Sequence, residues 1–250
     1  SRRWNTTDAN WEDDGYISLF QSGAKVSFYD TGSGEVVLQG NLAPQSVLVE
    51  NSVNHDYIFS GSGKLTGTMQ LCKDGDGSLI IGTVNDYTGG TILEAGTLKA
   101  GSASAFGSGI IQVSGGKLDL NGYTIANQAN ASGEVTIGNG RLNGNLTVDN
   151  ATLTIDEDLT LGGNLVVQNE NRIEVADGAT LYLMHTITNE NYIEFAGRID
   201  ISAITGTVTG SSYVGAETKG NGFLQTGYEM MLIDCGLSGD FKWSEAEIYH

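Results

Sequence analysis

Apolar and polar residues alternate one for one along most of this chain. The alternation is clear in Val36-Val37-Leu38, Ser46-Val47-Leu48-Val49, Leu79-Ile80-Ile81, Ile110-Ile111-Gln112-Val113, Glu134-Val135-Thr136-Ile137 and Asn145-Leu146-Thr147-Val148. A period of two places every second side chain on one face, which predicts strands with one buried face. Runs of Gly, Asn, Asp and Ser separate the strands as turns. No segment carries an amphipathic helical stripe, and only Ala100 to Phe106 has room for a short helical turn.

A Gly-x-Leu signature overlies the alternation. It recurs at Gly63-Lys64-Leu65, Gly77-Ser78-Leu79, Gly96-Thr97-Leu98, Gly116-Lys117-Leu118, Gly140-Arg141-Leu142, Gly144-Asn145-Leu146 and Gly163-Asn164-Leu165. The leucines Leu79, Leu98, Leu118 and Leu142 follow one another at 19, 20 and 24 residues, and Leu153 and Leu165 follow at 11 and 12. A step of about 20 residues suits one coil of a solenoid, and half of it suits two strands per coil. The fold class expected is all-β, a right-handed parallel β-helix or solenoid. The shortened spacing after residue 142 leaves a β-sandwich or irregular β-barrel as the alternative.

Three regions differ in composition. Residues 1–60 are rich in aromatics (Trp4, Trp11, Tyr16, Phe20, Phe28, Tyr29) and are expected to cap the open end of the solenoid with strands. Residues 61–200 hold the repeats. Residues 201–250 open with a Ser/Thr/Gly-rich loop and end in an apolar strand, Tyr228 to Cys235, and an acidic tail. Ser1-Arg2-Arg3 reads as a mature start. Acidic residues outnumber basic ones 30 to 12, for a formal charge of −18. That balance argues against nucleic acid and against anionic membranes, since no basic patch is available to neutralise phosphate. No apolar run is long enough for a membrane-spanning helix. The two cysteines, Cys72 and Cys235, are not a disulfide framework. In a straight solenoid they would lie about 40 Å apart at one strand spacing per coil. A Cys72–Cys235 bridge would therefore exclude that fold.

The stretch Asn85-Asp86-Tyr87-Thr88-Gly89-Gly90-Thr91-Ile92-Leu93-Glu94-Ala95-Gly96-Thr97-Leu98 resembles the autotransporter-associated β-strand repeat of bacterial passenger domains. Ala105-Phe106-Gly107-Ser108-Gly109 and Gly115-Gly116-Lys117-Leu118-Asp119-Leu120-Asn121-Gly122 are similar to its continuation, and Phe59 to Gly67 to the segment before it. The resemblance is strong over residues 59–122 and extends more loosely back to Trp4; beyond residue 130 only the Gly-x-Leu signature persists. It implies a β-helix, and a protein secreted or displayed by a Gram-negative bacterium. No exporting membrane barrel follows in this sequence, which implies a fragment or a free-standing relative. Relatives of this kind are found in bacteria living on mucus and glycans, which makes a host glycoprotein or glycan such as mucin the expected partner.

Candidate chemistry is sparse. Val26-Ser27-Phe28-Tyr29-Asp30-Thr31-Gly32-Ser33-Gly34 resembles the active-site motif of aspartic proteases, in which two carboxylates share one proton. Its counterpart would be Asp234, in Met231-Leu232-Ile233-Asp234-Cys235-Gly236. The pair Asp30 and Asp234 would make a mucin-degrading endopeptidase. The same residues are also ordinary turn chemistry. Asp74 and Asp76, in Asp74-Gly75-Asp76-Gly77, are candidate calcium ligands, again against a turn reading; no other cofactor is expected. Asp149, Asp156, Glu157 and Asp158 form an acidic cluster suited to a glycan hydrolase or lyase. His55 is a candidate base oriented by an acid such as Asp149. His185 has no companions at metal spacing. Trp4, Trp11 and Tyr16 suit either a sugar-stacking platform or the cap.

Overall fold

A computed structural model describes residues 2–189 and the strand segments 193–196, 199–200, 208–210, 222–226, 229–233 and 247–249, with side chains described through residue 188. No helix occurs among the described residues. In the Ala100–Phe106 stretch Ala100 ends a strand and the rest is bend and turn, closed by the Ala105 N–H donating to the Ser102 carbonyl at 3.2 Å. The chain divides into two compact units, Ser1–Gln112 with Gly116–Asn127 and Val113–Gly115 with Gln128–His250. Each is built on a stack of parallel strands, with one antiparallel pair besides, so the parallel solenoid holds and the sandwich and barrel alternatives fall.

In the first unit one ladder runs through Lys25–Phe28, Ser46–Glu50, Gln70–Asp74 and Thr91–Leu93. Its register aligns Val26 with Val47, Leu71 and Thr91. A second ladder runs through Gly34–Leu38, Tyr57–Ser60, Ser78–Ile81, Thr97–Ala100 and Gly116–Asp119. It stacks Leu79 on Leu98 on Leu118. All three leucines are wholly buried. The 19- and 20-residue steps of the signature are therefore single coils. Each buried leucine contributes roughly 1.5–3 kcal/mol of transfer free energy, and the column repeats that contribution at every turn.

The irregular later spacing has a simple cause in the second unit. Leu142 stacks on Leu161 and Leu183 on one face. Leu146 stacks on Leu165 and Ile187 on another. Leu153 stacks on Ile173 on a third. The steps of 11 and 12 residues pass from face to face within a coil; they are not half-length coils.

Glycine precedes the inward leucine because successive corners touch. Gly96 has φ +68°, and a Cβ there would lie 2.3 Å from the carbonyl oxygens of both Gly75 and Gly77. Gly116 repeats this one coil on, at φ +72°, with its Cβ position 2.3 Å from the Gly96 oxygen. Those carbonyls are hydrogen-bond acceptors in the stack: the Thr97 N–H donates to Gly77 at 3.1 Å and the Lys117 N–H to Gly96 at 2.8 Å. Other corners are tied by buried asparagines. Asn85 accepts from the Leu65 N–H at 2.9 Å and donates to the Ala105 carbonyl at 2.7 Å. Asn127 donates to the Gly109 carbonyl at 2.6 Å.

The aromatic start is a cap, as expected. Arg3–Trp4 pairs in parallel with Val37 and Leu38. Ala9–Asp13 and Tyr16–Leu19 form an antiparallel hairpin. Trp4 is fully buried. Its ring lies 5.2 Å from Trp11, 5.4 Å from Phe20, 5.6 Å from Phe28 and 6.0 Å from Phe59, in edge-on or tilted contacts that suit the aromatic quadrupole. Tyr16 stands outside this cluster, 77% exposed.

Gly96→Ala tests the corner geometry. It should cost at least about 1–3 kcal/mol from backbone strain alone, read as a lower Tm in thermal circular dichroism. An unchanged Tm would contradict the close approach of the corners.

Candidate functional site

The Asp30-Thr31-Gly32-Ser33-Gly34 motif lies at the corner after strand Lys25–Phe28. Asp30 is exposed and accepts two hydrogen bonds from Ser52 on the next coil, the N–H to Oδ1 and the hydroxyl to Oδ2, each 2.7 Å. The Ser52 backbone bond, followed by its hydroxyl bond, holds the Asp30 carboxyl below its usual range. His55 Nδ1 stands 3.2 Å from the Ser52 hydroxyl and 3.8 Å from Asp30 Oδ1. The acid facing His55 is thus Asp30, where the sequence had pointed to Asp149. Serine, histidine and aspartate meet here, but the histidine does not stand between the other two. The serine proton is directed at the carboxylate, so the imidazole is not placed to activate the hydroxyl. Asp30 works as a turn acceptor joining two coils. Asp234 and Cys235, its proposed counterpart and neighbour, lie outside the described residues. Cys72 is half-buried, and burial pushes its thiol up to about 11.

Behind this corner a cleft of about 370 Å³ opens between the cap and the first coils. Arg2, Trp11, Phe28 and Tyr57 line it, together with Thr31, Ser33 and Glu35. Two glycines of the motif admit its walls. A Cβ on Gly34 would come within 2.6 Å of the Arg2 guanidinium, and one on Gly32 within 2.6 Å of the Tyr57 hydroxyl. That hydroxyl donates to the Tyr29 carbonyl at 2.6 Å, fixing the ring. The Glu35 carboxylate accepts from the Ser60 hydroxyl, also at 2.6 Å. The alternation pattern gave no signal for Arg2 or Tyr57 as wall residues; the motif did mark Thr31 to Gly34, for a different reason.

The Asp74–Gly77 turn faces a cation supplied by the chain. Lys73 occupies an inward position, aligned with Val49 and Leu93 in the core ladder, and is wholly buried. Its ammonium donates to the Asp74 and Gly75 carbonyls at 2.6 Å and lies 3.4 Å from the Ala95 carbonyl. Asp74 Oδ1 accepts from the Gly75 N–H at 2.7 Å. The turn carbonyls that would help hold calcium are directed at Lys73, and no group of three or more metal-binding side chains occurs among the described residues. Lys73 was legible in the sequence: strict alternation through Gln70-Leu71-Cys72-Lys73 turns it inward.

The acids near 149–158 serve the stack in a similar way. Asp149 accepts from the Asn150 and Asn169 amides at 3.0 and 2.6 Å. Asp158 Oδ1 accepts from the Thr180 N–H at 2.8 Å. His185 is exposed.

Comparison with known proteins bears on this architecture directly. Residues 71–100 match the family model of the passenger-associated-transport-repeat. The chain carries an autotransporter-associated repeat. A curated relative, the adhesin BmaC autotransporter of Brucella suis biovar 1 (strain 1330), is 35% identical over 146 residues. The alignment takes in 53% of this chain and 4% of the relative, so the chain spans only a small part of that protein. No solved structure matches.

The matched repeat contains the strands Ser78–Ile81, Thr91–Leu93 and Thr97–Ala100, the touching corners at Gly75 and Gly96, and Lys73 beneath them. Burial lowers the Lys73 ammonium to about 8, against the opposing pull of Asp74, Asp76 and Asp56. Between that value and the unfolded one near 10.4 the unfolded chain binds the extra proton, so stability attributable to Lys73 rises with pH. The protein should therefore gain on its Lys73→Met variant between pH 7 and 10, by at most on the order of 3 kcal/mol, in paired urea titrations. A pH-independent difference would refute a desolvated ammonium at this corner.

Proposed function

We propose that this chain is a surface-displayed or secreted β passenger of a Gram-negative bacterium that holds host extracellular glycoproteins, mucins among them. The observation that carries the reading is the similarity of more than half of the chain to an autotransporter adhesin. The architecture supports it physically. Parallel coils repeat their outward side chains at one strand spacing, as in the row Lys25, Ser46 and Gln70. A surface that repeats along its length suits a partner that is itself a repeating polymer. The acids at 30, 149 and 158 favour binding over catalysis, because each accepts a hydrogen bond from the adjacent coil.

Immobilised mucin tests the reading. The purified chain should bind it saturably in surface plasmon resonance, with the response lost after enzymatic removal of the glycans. Absence of binding would contradict the proposal. Release of peptide fragments from mucin, abolished by Asp30→Asn, would replace it with the endopeptidase reading that pairs Asp30 with Asp234.

A further inference from the structure

The cleft at the aromatic cap has features that the stacking of coils does not require. Arg2 places a guanidinium at its wall in a chain of formal charge −18. Arg3 beside it is paired with Asp8 at 2.9 Å; Arg2 has no ion-pair partner among the described residues. The Trp11 ring forms part of the wall. Thr31 and Ser33 add hydroxyls to the rim, and Glu35 adds a second, oppositely charged polar group. The volume, about 370 Å³, falls in the range of small-ligand pockets, which pair apolar walls with a few fixed polar groups.

We infer that this cleft binds one carboxylated sugar unit, with Arg2 holding the carboxylate and Thr31, Ser33 and Glu35 meeting the hydroxyls. A planar guanidinium matches a carboxylate through two parallel hydrogen bonds. Trp11, Phe28 and Tyr57 offer apolar ring surface to the hydrocarbon side of the sugar. Glu35 selects for a ligand with one acid and several hydroxyls, since it would repel further carboxylates and accepts from hydroxyl donors. An acidic peptide fits the charge of Arg2 but not this second requirement. The inference deepens the glycoprotein reading and rests on it for the source of the sugar, a terminal nonulosonic acid or a uronic acid.

The test is calorimetric titration of the whole chain with N-acetylneuraminic acid and, separately, glucuronic acid. Galactose, the methyl ester of each acid and an aspartate-rich peptide serve as comparisons. One of the two acids should bind one to one, and which one does so identifies the source. Its methyl ester should bind at least about tenfold more weakly, the loss expected for a charge-assisted bidentate contact. Arg2→Ala should show the same loss with an unchanged Tm, because Arg2 is exposed and outside the core. The inference is overturned if neither acid binds, if the ester or the variant binds as well as the parent pair, or if the peptide binds in preference. Mucin capture measured in parallel separates the two levels. Capture that is equal in Arg2→Ala overturns the cleft and leaves the glycoprotein reading standing. Sugar binding without mucin capture does the reverse.

Discussion

Everything in this protein depends on how closely one coil can lie on the next. Parallel strands repeat at about 4.7–4.9 Å, and the corners must keep that spacing as well as the strands. At Gly96 and Gly116 the space a side chain would take is filled by carbonyl oxygens of the preceding coil, 2.3 Å from the Cβ position. The glycine therefore permits the stack, and the leucine two residues later fills the column beneath it. A sequence that met only the strand requirement would alternate correctly and still fail to close its corners.

Polar residues obey the same constraint. A corner exposes backbone carbonyls and N–H groups that have no partner within their own coil, and burial makes each of them costly. The chain answers with asparagines at 85 and 127, with aspartates at 30 and 158, and with an ammonium at 73. This is why so many candidate catalytic or metal-binding residues turn out to be engaged with backbone or with serine and asparagine side chains of an adjacent coil. Acidity here is largely turn chemistry. The cleft at the cap is different, because its Arg2 guanidinium has no ion-pair partner among the described residues.

Much of the fold was legible because its cause is periodic. Leu79, Leu98 and Leu118 announce the coil length, and the glycines before them announce its corners. The step to Leu142 misled, since spacing alone cannot say whether two leucines share a face or lie on different faces of one coil. The aromatic cap was legible from Trp4, Trp11, Phe20 and Phe28 clustering at one end, although Tyr16 is exposed and does not join them. The site was less legible. The Asp-Thr-Gly-Ser-Gly motif drew attention to its corner through a resemblance to protease chemistry, whereas its glycines admit Arg2 and Tyr57 beside the cleft. Ser52, which engages Asp30 from 22 residues away, has no sequence signal, because a contact between coils is defined by register and not by proximity along the chain.

Methyl–methyl contacts in the leucine column test the account most directly. With selectively labelled leucine methyl groups, nuclear Overhauser effects should join Leu79 to Leu98 and Leu98 to Leu118. None should join Leu79 to Leu118, two strand spacings or about 10 Å apart. Missing neighbour effects, or a direct Leu79–Leu118 effect, would contradict a parallel stack with one coil per Gly-x-Leu step.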